Sequence, residues 1–189
     1  MSDRKREIIQ TAIEIISDEG YSSLSMRALA RASGMKLGAL QYHFRTTEDM
    51  LRALVNYIAD EIRRGFDAKK LGQGTPSVVE LVAFMLEDDA GSEDVLLGDR
   101  LWPQLWAMEQ VEPLVSDLLE EVYAEYLERL EKAMEAAGVQ SPRAEALCLM
   151  AMVEGESLFT GRGRRWESDE KAVRETILKF VDQRYGAKN

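Results

Sequence analysis

The sequence predicts an all-α chain of about nine helices, and three observations carry that prediction. Apolar residues recur at spacings of three and four along most of the chain, which is the period of one helix face. Nowhere do β-branched residues alternate with polar ones between turn residues, as a half-buried strand requires. Apolar residues make up 46% of 189 residues, enough for a packed core and too many for a disordered chain.

Taken in order, Ile8, Ile9, Ala12, Ile13 and Ile16 share one face of a first helix that Gly20 closes. Ser25 is placed to cap a short second helix ending at Gly34. A third short helix is expected over about residues 37–44. Thr46 caps a fourth, with Asp49 three residues on as its reciprocal partner. Its apolar stripe is Met50, Leu51, Leu54, Val55, Ile58, Ile62 and Phe66. Residues 71–76 read as a linker, with Pro76 suited to the first helical position after Thr75. The stretch Val78–Leu86 is apolar on nearly all sides and is expected to be central. An acidic loop at 87–91 precedes a Trp-rich helix, where Pro103 is expected to make a kink or a break. Pro113 opens a long helix to about Ala137, with Leu114, Leu118, Val122, Tyr126, Leu130 and Met134 in register and glutamates on the other faces. Ser141-Pro142 starts a helix that is apolar around most of its circumference. Ser168 is expected to cap the last helix, with Val173, Ile177, Phe180, Val181 and Arg184 in register and Gly186 at its end.

Composition narrows the function. Cys148 is the one cysteine, so no internal disulfide forms; its apolar run CLMAMV gives it a structural look. His43 is the one histidine, so no histidine cluster binds a metal, and neither metal nor cofactor is expected. No acid–base pair, Cys/His couple or phosphate loop stands out, and the chain is not expected to be an enzyme. The start MSDRKREIIQ lacks the apolar core of a signal peptide, and no stretch is long and apolar enough to span a bilayer. A cytoplasmic protein with no membrane partner is expected. The formal net charge is −10, yet residues 1–70 hold 12 basic and 10 acidic residues while residues 71–189 hold 12 and 24. The local field decides phosphate contact, and only the first part has a balance that permits it.

The stretch SMRALARASGMKLGALQYHF, residues 25–44, has the layout of a helix-turn-helix. Such a unit needs a short recognition helix with an open first turn, held at a fixed angle by a packed partner. Leu29 and Ala30 are read as facing inward from the first of the two helices, and Leu40 and Phe44 from the second. Gly34 supplies the positive φ of the turn, and Ala28 and Ala32 are small enough for close approach.

Residues 6–54 resemble the DNA-binding domain of the TetR family of transcriptional regulators. The resemblance lies in the amphipathic first helix, Gly20-Tyr21, Ser25-Met26-Arg27-Ala28-Leu29-Ala30, Ala32-Ser33-Gly34, Leu40 through Phe44, and Thr46-Thr47-Glu48-Asp49-Met50-Leu51. It implies a DNA-binding domain over residues 1–50, with the fourth helix running on to about 70, and a helical regulatory and dimerisation domain over 71–189. It also implies roles for single residues. Ser25 and Arg27 open the supporting helix, with Arg27 in reach of a phosphate or a guanine edge. Lys36, Leu37, Gly38, Ala39 and Gln41 form the exposed turns of the recognition helix. Gln41 suits adenine, Leu37 or Ala39 a thymine methyl, and Gly38 close approach without readout. Tyr42, His43 and Thr47 are placed for backbone phosphates. Two positions depart from the family pattern: Gln41 stands where a tyrosine is usual, and Thr47 where a lysine is common. A phosphate at Thr47 would use its hydroxyl or the helix amides.

The resemblance further implies a homodimer on a palindromic operator, released by a small-molecule effector. Residues with the chemistry of an adaptable pocket concentrate in the rear half: Phe84, Met85, Trp102, Trp106, Tyr123, Met150 and Glu154, with Glu156, Gln104 and Arg100 as further polar candidates. The simplest alternative for the apolar ones is ordinary core. The alternative for the whole chain is a helical small-molecule-binding or protein-interaction protein that no longer binds DNA.

Overall fold

The computed structural model describes residues 1–68, 76–86 and 101–186. These form nine α-helices and two 3-10 turns, with no strand among the described residues. The helices are α1 (Asp3–Glu19), α2 (Met26–Ala32), α3 (Leu37–His43), α4 (Thr47–Ala68), α5 (Val78–Leu86), α6 (Leu101–Glu109), α7 (Pro113–Ala136), α8 (Pro142–Thr160) and α9 (Glu170–Tyr185). The linker at 71–75, the acidic loop at 87–91 and Arg100 lie outside the described residues. The chain divides into two compact units. Residues 1–63 and 101–120 make the first; residues 64–68, 76–86 and 121–186 make the second. Both α4 and α7 contribute residues to each unit.

The first unit is assembled on α1. Its face of Ile8, Ile9, Ile13 and Ile16 is fully buried, together with Leu29 of α2, Leu40 of α3, Met50, Leu54 and Ile58 of α4, and Leu101 and Leu105 of α6. Each such side chain contributes about 1.5–3 kcal/mol relative to remaining in water. Caps set the ends. The Ser2 hydroxyl accepts from the Lys5 amide, and Gly20 closes α1 at φ 85°. The Thr46 hydroxyl accepts from the Asp49 amide at 3.0 Å, and the Asp49 carboxylate accepts from the Thr46 amide at 3.2 Å. Pro103 does not break its helix: α6 runs unbroken from Leu101 to Glu109.

In the second unit, α5 packs on α8 and α9, and α8 on α9. Leu81 and Val82 of α5, Leu130 and Met134 of α7, Ala146 and Leu149 of α8 and Val181 of α9 form its core. The start of α5 lies at Val78, not at Pro76. Ser77 is its cap: its hydroxyl accepts from the Glu80 amide, and the Glu80 carboxylate accepts from the Ser77 amide at 2.8 Å. This reciprocal pair holds more of the free helix end than a proline can. The last helix likewise starts at Glu170, after a 3-10 turn at Glu167–Asp169, so Ser168 is not its cap. Phe180 leaves the expected buried row: Ile177 and Val181 are inside, and Phe180 is exposed. Cys148 is exposed as well, on the outer face of α8.

Candidate nucleic-acid interface and sensor residues

The turn between α2 and α3 follows from Gly34. At φ 65°, its N–H donates to the Arg31 carbonyl (3.1 Å) while Met35 N–H donates to the Ala30 carbonyl (2.8 Å). This pair of bonds closes the end of α2 and redirects the chain, and only glycine enters that conformation without strain. At the other end of α2, the Ser25 hydroxyl accepts from the Ala28 amide at 3.1 Å. Leu29, Ala30, Leu40 and Phe44 all point inward as the sequence implies. Ala32 does not serve the close approach expected of it, because it is exposed.

Two residues of the first turn of α1 brace this unit, and no motif in the sequence marks either. The Arg4 guanidinium donates to the Ser33 carbonyl at 3.2 Å, directly on the turn. The Lys5 ammonium lies over the Phe44 ring, 5.4 Å from its centre. In the sequence they look like solvated charges, and only the packing of the first helix against the motif reveals them. Farther along, the Tyr21 hydroxyl donates to the Glu112 carboxylate. Burial and that acceptor raise the tyrosine pKa. The bond ties the corner after α1 to the residue before α7.

The outer surface of the motif is open. Arg27, Lys36, Gly38, Ala39, Gln41 and Thr47 are exposed, Leu37 and His43 are half-buried, and Ser25 is exposed with its hydroxyl engaged in capping. Tyr42 is 87% exposed, the most exposed large apolar side chain among the described residues, and meets the His43 ring edge-on at 5.5 Å. Arg27, Arg31, Lys36 and Arg45 meet no carboxylate among the described residues. The acids nearest to Thr47 are already held: Glu48 by Arg52 at 3.0 Å, and Asp49 by the Thr46 amide. The Thr47 hydroxyl thus stands at the first position of α4 beside neutralised neighbours, and the cations of the surface keep their field outward.

The sensor candidates divide between the units. Trp102, Gln104 and Trp106 are half-buried on α6 in the first, with the Gln104 amide oxygen close to Gly20. Phe84 and Met85 on α5, Tyr123 on α7, and Met150 and Glu154 on α8 belong to the second. Within that unit, Tyr123 hydrogen-bonds Glu154, and Tyr126 lies close enough to feel the same charge. Burial pushes the Glu154 carboxyl up to about 7, with the Tyr123 hydrogen bond pulling the other way. Glu156 is engaged within the protein. It is buried against Arg174, whose Nε lies 3.3 Å from its Oε1.

Residues 8–54 match the family model for bacterial regulatory proteins of the tetR family. Among curated proteins, an uncharacterised HTH-type transcriptional regulator of Bacillus subtilis, YuxN, is 30% identical over 61 residues, 32% of this chain and about a fifth (21%) of that protein. The HTH-type transcriptional regulator BetI of Escherichia coli is 22% identical over 171 residues, 83% of this chain and 86% of its own length. Two solved structures have the same fold. A TetR-family transcriptional regulator from a Rhodococcus species has a TM-score of 0.74 at 24% identity, covering 96% of this chain and 98% of its own. A transcriptional regulator from Saccharomonospora viridis, solved in complex with choline, has a TM-score of 0.77 at 20% identity, with both chains covered in full (100%).

Proposed function

We propose that this chain, which matches the tetR family model over residues 8–54, is a cytoplasmic transcriptional repressor that holds a palindromic operator as a homodimer and leaves it when a small molecule binds. The observation that carries this reading is the open face of α2 and α3, with cations that meet no carboxylate among the described residues around an exposed first turn and two buried anchors, Leu40 and Phe44, behind it. Arg27 and Lys36 are assigned to phosphates or base edges, and Gln41 to an adenine. Leu37 and Ala39 take thymine methyls, and Gly38 allows approach. Tyr42, His43 and Thr47 take the phosphate backbone.

An exposed apolar row supports the dimer. Leu147, Leu158 and Phe159 of α8 and Phe180 of α9 face outward, and a groove of about 540 Å³ lined by Phe159, Trp166, Val173 and Ile177 continues the row. A monomer does not need so much apolar surface on two adjacent helices. The similar regulator solved with choline supports a small-molecule effector here. Release then requires only that the effector bind the DNA-free form better, and α4, with residues in both units, is the proposed link.

Mobility-shift titration with the DNA upstream of the chain's own gene tests this. A dimer on half-sites about one helical turn apart, roughly 34–36 Å, is the expected complex. Gln41→Ala should relax preference at one base position, costing about 1–3 kcal/mol there. Failure to bind any site in that region better than random DNA would contradict the proposal. Sedimentation should show a dimer that Leu158→Asp dissociates.

A further inference from the structure

Glu154 and Glu156 lie two residues apart on α8, so they project to different sides of the helix. Glu156 is answered from within the protein. Arg174 reaches it, the Thr160 hydroxyl donates to the same Oε1 at 2.6 Å, and Glu170 holds the guanidinium from its other side at 2.9 Å. Glu154 has no such cation among the described residues. Its partner is a neutral phenol, Tyr123. Tyr126, one turn along α7, is buried, and the Glu154 charge helps to keep its hydroxyl protonated. Glu154 itself is half-buried, so part of it stays reachable. A carboxylate withdrawn from water takes up either a proton or a countercharge. Aromatic rings attract cations as well.

We infer that Glu154, beside Tyr123 and Tyr126, is the recognition point for a small organic ammonium cation, which brings the countercharge that Arg174 brings to Glu156. The inference rests on the reading of the second unit as the sensor and names the chemical class of its effector. The ammonium charge pairs with the carboxylate; an anionic molecule would be repelled. Near pH 7 the free carboxyl is partly protonated, so cation binding draws off its proton and affinity rises with pH from about 6 to 8. Glu125 and Arg129, which also lie near Tyr126, pair with each other at 2.6 Å.

Calorimetry on the full chain tests the site with benzyltrimethylammonium and with 2-methyl-1-phenyl-2-propanol, an uncharged molecule of nearly the same shape. The cation should bind more tightly, on the order of ten-fold or more. Glu154→Gln should remove that advantage while thermal unfolding stays cooperative and operator binding without probe is unchanged. Tyr126→Phe, which keeps the ring, should retain it. Equal affinity for the two probes, or an unchanged advantage in Glu154→Gln, would overturn the inference. Operator release is read separately. A Glu154-dependent cation site that leaves the operator bound upholds the site and contradicts release. Release by some other molecule, with no cation binding, does the reverse.

Discussion

On the helix-turn-helix, Arg27, Arg31, Lys36 and Arg45 stand exposed and meet no carboxylate among the described residues, whereas on α7, α8 and α9 the cations are largely engaged. There Arg129 answers Glu125, Lys132 answers Glu128, Arg143 answers Glu131, Arg174 answers Glu156 and Glu170, and Arg184 answers Glu145. The exposed Arg162, Arg164 and Lys179 are exceptions, and Arg165 lies over the Trp166 ring. The difference shows why a net charge of −10 does not decide the function. A paired cation presents little field to an incoming phosphate, and an open one presents all of it. The first surface is arranged to meet an anion from outside; the second is already neutralised.

The pairing in the second unit can be broken where it is buried. Arg174→Ala strands the Glu156 carboxylate and should cost about 3 kcal/mol in chemical denaturation. Arg184→Ala, which breaks an exposed pair with Glu145, should cost less than about 1 kcal/mol. Equal costs would show that burial does not set the value of these pairs.

Glu154 is a half-buried acid of that unit which the pairing leaves aside, and its pH dependence sharpens the contrast. Its carboxyl is raised from the ordinary 4.5 to about 7 in the folded chain. Below 4.5 both folded and unfolded forms hold the proton, and the residue costs nothing. Between 4.5 and 7 the unfolded chain ionises first, so stability falls as pH rises; above 7 the loss is complete. Glu154→Gln should therefore raise stability by about 2 kcal/mol at pH 8 and hardly change it at pH 4. A variant no more stable at pH 8 than the parent would contradict this.

Smaller still are the two serine caps, one in each unit. Ser25→Ala and Ser77→Ala should each cost about 1 kcal/mol in thermal unfolding. Ser25→Ala should in addition weaken operator binding, because it loosens the helix that carries Arg27. Ser77→Ala should leave binding alone. Identical effects on DNA affinity would erase the distinction between the units.

What is legible in the sequence is what lies within four residues of its partner. The caps at Ser25 and Thr46, the turn at Gly34 and the isoleucine face of α1 are all local patterns, and the structure bears them out. Sequence and structure part where two local signals compete. Pro76 and Ser77 both mark a helix start, and the reciprocal Ser77–Glu80 bonds decide it. Pro103 signals a break, yet the described helix runs through it. Burial of single residues is harder still. Phe180 and Cys148 belong to apolar patterns yet face outward, since a helix that is apolar all round does not reveal which side meets its own core. The Glu156–Arg174 pair spans a turn between two helices, and no spacing rule connects them. Of the site residues, the ten on the helix-turn-helix read as one surface because they share 23 contiguous positions, 25–47. The sensor candidates are marked in the sequence by chemistry alone, and the fold divides them between two units.

The central claim is that the open cations of α2 and α3 hold operator DNA while the paired ones do not, and the salt dependence of binding measures it most directly. Affinity for the operator should be followed from about 50 to 200 mM salt for the parent, for Arg27→Ala with Lys36→Ala, and for Lys132→Ala with Arg143→Ala. The first pair should weaken binding and make the slope of log affinity against log salt shallower by about one for each phosphate no longer neutralised, and by about two at most. The second pair should leave both affinity and slope as in the parent. Equal slopes in all three proteins, or a weakening confined to the Lys132 and Arg143 variant, would contradict the account.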